Sequence, residues 1–438
     1  LNGVDLPVIS NVTDPNGIAA SAPVNITAEV TGTGLTSIQL SYKLNFDADI
    51  DLTMYDDGNH NDGAAGDNVY GAQIPGQPIK TLVRFKVTAI NGDGQTTSPS
   101  LDDSMNYHGY YVKDPSVTAS VPIIQWFISD ADYTDMHTNH VGDKFYLPCV
   151  VVIGDEVFDN SLSRIKGEYS LSFPKKGYKI KLPSGYSFAI DGGSGRQLKE
   201  FHLNSNQASE GVGEAAIAWH AAEVAGIKVP DVMPTRLDRN GEFEGLYIFA
   251  DKYESAWRSD TGYNNGELYE DLQEVVNGAD NLDNVIAWNS SMQSDKKDPA
   301  LREAVLDTDN IPAMFNIMSL FALANSHDNA MLNNSLQYKS NSTGRWEIIP
   351  WDMDLILQER NFMLSPMDQP TYYWSMDKAP ITAIYGQKDL RELYFRRLRT
   401  LADKLYGNNE LLNLYNNTNS DHSVEIGLDN AKWPSSPQ

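Results

Sequence analysis

The hydrophobic rhythm of the chain changes part-way along. Over its first quarter apolar and polar residues alternate, as in Val24-Asn-Ile-Thr-Ala-Glu-Val30, Ile38-Gln-Leu-Ser-Tyr-Lys-Leu44 and Val83-Arg-Phe-Lys-Val-Thr-Ala-Ile90. A period of two sends every second side chain to one face, so these segments read as half-buried strands. Another strand opens at Pro7, and Asn91-Gly92 signals a tight turn into an edge strand. With Gly, Pro and Asn between the runs, residues 1–112 predict an all-β sandwich of immunoglobulin- or fibronectin-like type.

A linker at 113–121 leads to a mixed pattern. Ile123–Ile128 and Phe145–Ile153 are strand-like, while Gly211–Ala225 is alanine-rich, helical, and ended by Gly226. Met233–Asp238 and Glu244–Ala250 form a strand pair around Arg239-Asn240-Gly241. Beyond Glu267 the period lengthens. Met314, Ile317, Met318, Phe321 and Leu323 recur at helical spacing over Ile311–Ala324, as do Leu390, Leu393, Leu398 and Leu401 over Lys388–Tyr406. The expected fold class is α+β: the sandwich, then a two-lobed unit over 122–438. Its β-rich lobe spans about 122–255 and its helical lobe about 260–420.

The totals narrow the partners. A chain of 438 residues exceeds what one core serves, and 41% hydrophobic residues suffice for sizeable cores. Against 59 Asp and Glu stand 33 Lys and Arg, a net charge of -26 that repels nucleic acid and anionic membranes. The single cysteine, Cys149, lies in an apolar run and reads as a small buried hydrophobe. No run of about 18 apolar residues spans a bilayer. The chain opens at Leu1 without Met, which fits a trimmed leader, and the sandwich suggests export to an extracytoplasmic, secreted or surface setting.

Three stretches carry candidate chemistry. Asp56-Asp-Gly-Asn-His-Asn-Asp-Gly-Ala-Ala-Gly-Asp67 offers oxygen donors for a Ca²⁺ cage, with a solvated turn as the alternative. An EF-hand register fails, since Asp62 stands where Gly is needed and Asn68 ends the loop. In the second stretch six cations fall between Arg164 and Lys181, an anomaly in so acidic a chain. Alternation puts Tyr178, Ile180 and Leu182 on the buried face of a strand and Lys179 and Lys181 on the other, as a phosphate receiver or a solvated basic face. In the third, Asp328 precedes Asn333 by five residues, and Trp346–Pro350 delivers Asp352 and Asp354. An acid, an amide and a later acid form the polar kit of phosphoryl transfer. One residue apart on an extended segment, Asp352 and Asp354 are expected to point to the same side, where they repel unless a cation joins them.

The run Arg164-x-Lys166-Gly167-x-x-Ser170-x-x-Phe173-Pro-Lys-Lys-Gly-Tyr-Lys-Ile-Lys-Leu182 resembles the signature of the CotH (spore coat protein H) kinase family. The helix around Glu214, the hairpin Asn240-Gly241 to Ile248, and Asp328…Asn333…Tyr338…Trp346-x-x-x-Pro350-Trp-Asp-Met-Asp354 agree in the same order. The resemblance covers about residues 120–410 and implies an atypical protein-kinase-like fold using ATP with Mg²⁺ or Mn²⁺. It implies Asp328 as catalytic base and Asn333, Asp352 and Asp354 around the metal. Lys179 would contact the nucleotide phosphates, with Lys181 its rival and Glu214 its partner; Gly167 and Ser170 would belong to the phosphate-covering loop. Asp251 departs from the family, which often carries Glu there. The expected function is a secreted kinase phosphorylating Ser or Thr of an extracytoplasmic protein. A catalytically silent surface adhesin or scaffold is the alternative. A metal-dependent hydrolase is a third, but it has no use for Lys179.

Overall fold

A computed structural model describes residues 5–434 apart from 168, 208–211, 252, 254, 294–298, 325, 327–333, 354, 355 and 357–378. The chain packs as two compact units. One comprises residues 1–204, 234–247 and 424–438, the other 205–233 and 248–423.

The first unit opens with β1 (Val8–Ser10), β2 (Val24–Thr31), β3 (Ser37–Leu44), β4 (Ile50–Thr53), β5 (Val69–Ile74), β6 (Leu82–Asn91), β7 (Gly94–Ser98) and β8 (His108–Tyr111). They make two sheets, β1-β2-β5 and β4-β3-β6-β7, with β8 also on β6. The alternation read from the sequence is the core: Ile26, Ala28 and Val30 of one sheet cluster with Leu40, Phe85, Val87 and Ala89 of the other. In the acidic loop each carboxylate caps backbone amides. Asp62 accepts from the N–H groups of Asp57, Gly58 and His60, and Asp56 from those of Gly66, Asp67 and Asn68. Among the described residues no three acidic, imidazole or thiol groups gather as a metal cage. The loop is thus a turn whose carboxylates are engaged by its own backbone amides.

Most of a closed barrel belongs to the same unit. Its strands are β9 (Ile123–Phe127), β10 (Leu147–Ile153), β11 (Glu156–Lys166), β12 (Gly177–Lys181), β13 (Glu200–Asn204), β14 (Val232–Arg239) and β15 (Glu242–Ala250), in the order β10-β11-β12-β13-β15-β14-β9. Closure leaves no strand edge. Buried aromatic rings meet within it: Trp126 and Tyr178 have centroids 4.6 Å apart, and Tyr178 and Tyr247 are 5.9 Å apart. The Trp126 indole N–H donates to Ser163 Oγ at 3.3 Å. Asn240 and Gly241, at φ +51° and +81°, supply the left-handed pair that the β14–β15 hairpin turn requires. The helix Ser423–Lys432 is fastened to this unit by Asp429, which pairs with the buried Lys175 at 2.8 Å and accepts the Leu246 N–H at 2.8 Å.

The second unit is richer in strand than its apolar periods suggest. β16 (Gly266–Glu270), β17 (Glu274–Asn277), β18 (Ser335–Ser340) and β19 (Trp346–Pro350) form a sheet in the order β17-β16-β18-β19. Its core joins Met314, Ile317 and Leu320 of the helix Ile311–Leu323 to Leu390, Tyr394, Leu401 and Leu405 of the helix Lys388–Tyr406. Leu393, expected inside, is exposed. The buried stripe runs through Tyr394, and its neighbour in sequence sits about 100° round the helix.

One buried acid in this unit has an unmet oxygen. Asp309 accepts the Trp288 indole N–H on Oδ1 at 2.8 Å, while Oδ2 has no partner among the described residues. Burial raises its pKa from 3.8 to about 7 despite that N–H and the charge of Arg345. Protonation is therefore favoured by folding. The stabilisation is complete below pH 3.8 and is lost as pH rises through about 7. Asp309→Asn supplies a permanently neutral isostere. Its stability advantage over the parent should grow between pH 5 and pH 8, towards an upper bound on the order of 4 kcal/mol. Urea unfolding at the two pH values measures it, and a gap independent of pH would refute the assignment.

Candidate active site

The six cations of the basic segment do not form one patch. Lys175 is buried against Asp429, and Lys176 donates to the carbonyls of Leu171 and Phe173 at 2.6 Å each. Arg164 donates to the Ile165 carbonyl at 3.0 Å and lies over the Tyr146 ring. Lys166 reaches Asn204, and Lys181 is exposed. Lys179 stands apart: it is 8% exposed, and its ammonium pairs with Glu200 at 2.7 Å.

Strand register explains this arrangement. Arg164, Lys179 and His202 face one another across β11, β12 and β13, on the side opposite Tyr178 and Ile180. One residue row away, Gly177 carries no side chain, and a Cβ there would lie 3.4 Å from Lys166 Cγ. Lys166 can therefore extend past it to Asn204. In the other direction Glu200 is opposite Lys181 in register but gives its carboxylate to Lys179, a diagonal cross-strand pair. The expectation of a displayed basic face is thus corrected. The side of β12 that carries Lys179 is largely buried, and of its two lysines only Lys181 faces solvent.

Gly167 ends β11 at φ +120°, where a Cβ would lie 2.0 Å from Ser170 Oγ. Only glycine fits this turn into the short 3₁₀ helix Tyr169–Ser172. Glu214 lies on the helix Val212–Val224 in the second unit. It is buried and lines a pocket of about 320 Å³ with Ile217, Leu405, Leu411, Leu412 and Tyr415. Glu200, the partner found for Lys179, was not singled out by motif or spacing. Its one signal is that Glu200-Phe-His-Leu-Asn204 alternates, which places Glu200 on the polar side of a strand.

The acidic candidates are built on one end of the second unit's sheet. Ser335 pairs with Pro350 across β18 and β19, and just beyond them the Trp351 N–H donates to the Asn334 carbonyl at 2.7 Å. Asn334 and Asp352 adopt left-handed backbone at φ +47° and +50°. The extended chain therefore stops before Asp352, so the segment on which alternation was expected to act does not continue through it. Asp328, Asn333 and Asp354 lie outside the described residues. Tyr253 buttresses this end: its hydroxyl donates to the Pro350 carbonyl, and its ring meets Trp351 edge-on at 5.2 Å. Burial, followed by the charges of Asp251, Glu270 and Asp352 with Tyr263, holds that hydroxyl's pKa far above the usual value, so it stays a donor.

Chemically, the two units present different tools. Lys179 offers a positive charge already desolvated, which binds a phosphate oxygen more strongly than a hydrated one. Asp352 offers the hard carboxylate oxygen that suits Mg²⁺ or Mn²⁺. Both donor types fit a metal-bound nucleotide.

The Lys179–Glu200 pair also has a stability signature. Lys179→Met removes the cation from a partly enclosed carboxylate and should destabilise the protein by roughly 1–3 kcal/mol, whereas Lys181→Gln should stay within about 0.5 kcal/mol. Adding Glu200→Leu to Lys179→Met should recover most of the loss. Denaturant unfolding of the three variants is the check; equal effects at Lys179 and Lys181 would contradict the burial argument.

The profile described as CotH kinase protein matches residues 163–437, well over half of the chain. No curated protein matches. Among solved structures, a Br derivative of BhCBM56 is 12% identical, covering 22% of this chain and 85% of its own, with a TM-score of 0.15. The twitchin kinase region from C. elegans is 9% identical, covering 99% and 71%, with a TM-score of 0.18. Scores that low carry no fold argument. The profile, by contrast, takes in the row of Arg164, Lys179 and His202, the sheet end at Asp352 and the helix bearing Asp429, and by that match the chain belongs to the CotH kinase protein family.

Proposed function

We infer that this protein is an atypical protein kinase that transfers the γ-phosphoryl group of ATP to Ser or Thr of an extracytoplasmic protein. The observation that carries the reading is Lys179, a buried ammonium held at 2.7 Å by Glu200 within the matched region. Such a lysine is pre-positioned and loses little further solvation when it meets a phosphate. Lys179 binds the α/β-phosphates, and Gly167 and Ser170 form the turn that covers them. Asp352 and Asn333 hold the divalent cation, with Asp354 beside them. Asp328 accepts the proton of the acceptor hydroxyl. ATP with Mg²⁺, when bound, supplies the phosphoryl group and leaves as ADP.

The net charge of -26 favours a basic peptide as acceptor. Among the described residues no helix is long and apolar enough to cross a membrane. The β1–β8 sandwich supports the second reading, a surface adhesin or scaffold, because loops at the ends of such sandwiches commonly bind partners.

Incubation with labelled ATP, Mg²⁺ or Mn²⁺ and a Ser-rich basic peptide tests the reading. Asp328→Asn should keep nucleotide and Mg²⁺ binding while transfer falls on the order of 10²- to 10⁴-fold, the usual cost of losing a general base. Asp352→Asn should weaken the Mg²⁺ dependence of nucleotide binding as well as transfer. The opposite pattern would exchange the two roles. Nucleotide binding with no transfer would favour the scaffold, and absence of both binding and transfer would end the kinase reading.

A further inference from the structure

The geometry around Asp352 points to a residue to which no motif assigns a role. We propose that Tyr253 is a positioning residue for the metal-binding carboxylate of Asp352, acting through the peptide that precedes it. The proposal rests on the kinase reading and extends it from Asp352 to the residue that fixes the backbone before it.

Asp352 occupies a backbone region that a residue other than glycine enters at a cost, so something must hold it there. The structure shows three restraints, all within the second unit. The Tyr253 hydroxyl donates to the Pro350 carbonyl, two residues before Asp352. The Tyr253 ring packs edge-on against Trp351, the residue immediately before it. The Trp351 N–H is tied to the Asn334 carbonyl, so the same peptide is clamped from the neighbouring strand.

Tyr253 is itself immobilised. It is fully enclosed, and Trp257 meets its ring at 4.5 Å and 70°. The Trp257 indole N–H donates to the Val229 carbonyl at 2.9 Å, and Arg258 donates to the Tyr253 carbonyl at 2.7 Å. The aromatic cluster of Tyr253, Trp257, Leu336, Ile349 and Trp351 is separate from the large helical core of this unit. Filling space alone would not require a hydroxyl aimed at the carbonyl of Pro350. A carboxylate that must meet a small cation within a few tenths of an ångström does require a fixed backbone.

The test is a Mg²⁺ titration, by calorimetry, of the protein saturated with a non-hydrolysable ATP analogue. Tyr253→Phe keeps the ring and deletes the hydroxyl. It should weaken Mg²⁺ by roughly 10- to 100-fold, as loss of an outer-shell partner does, while analogue binding without metal is unchanged. In an Asp352→Asn background the same substitution should add little, because the two act on one step. Trp351→Leu, which removes no oxygen donor, should weaken Mg²⁺ in the same direction, and it replaces Tyr253→Phe should that variant not fold. Lower thermal stability with unchanged Mg²⁺ affinity would overturn the positioning role and leave the kinase reading standing. A parent protein that binds neither analogue nor Mg²⁺ would overturn both.

Discussion

A closed barrel has two sides for its side chains, and that constraint governs the first unit. Here Trp126, Tyr178, Ile180 and Tyr247 are buried on one side, so residues alternating with them must face the other. Arg164, Lys179 and His202 are therefore aligned by register rather than by any attraction among themselves. Packing also shields Lys179, and a shielded ammonium needs a counter-charge. Glu200 supplies it from the next strand. A sheet that slipped by one residue would turn the cations into the aromatic face, so the position of the lysine is specified by every hydrophobic residue of the barrel.

The second unit reaches a comparable result by ending its strands together. β18 begins and β19 ends at one end of the sheet, so Ser335 and Pro350 face each other across the open end of the hairpin. Asn334 and Asp352 are both left-handed there, which turns the chain sharply away from the ladder. Rigid strands up to the last residue, followed at once by strained turns, give a site both precision and access.

Much of this was legible in the sequence. The alternating runs at Val24, Ile38 and Val83 became strands of the sandwich, and the Asn240-Gly241 turn and the helix Lys388–Tyr406 lie where their local signals put them. These elements are set by neighbours in sequence, which is why periodicity finds them. The basic segment was legible as a motif but not as an arrangement. Whether Lys179 or Lys181 is enclosed depends on β13, twenty residues away, and on Asp429 removing Lys175 from the patch. The role of the acidic loop at 56–67 was likewise hidden, because a carboxylate that caps amides and one that binds a cation have the same spelling. Leu393 shows the smaller error: Leu390 and Leu401 of the same stripe are buried, but Tyr394 rather than Leu393 takes the place between them.

The contact between Lys175 and Asp429 bears on how the protein comes to be made. The two residues are 254 positions apart, yet the ammonium of Lys175 is enclosed, with the Leu246 carbonyl, the Tyr247 ring and that carboxylate around it. As the chain leaves the ribosome, the sequence for the whole barrel is available long before Asp429 is. Until then the barrel lacks the carboxylate that pairs with this ammonium in the finished fold. The barrel therefore reaches its final stability only after the segment that carries Asp429 has been synthesised and packed.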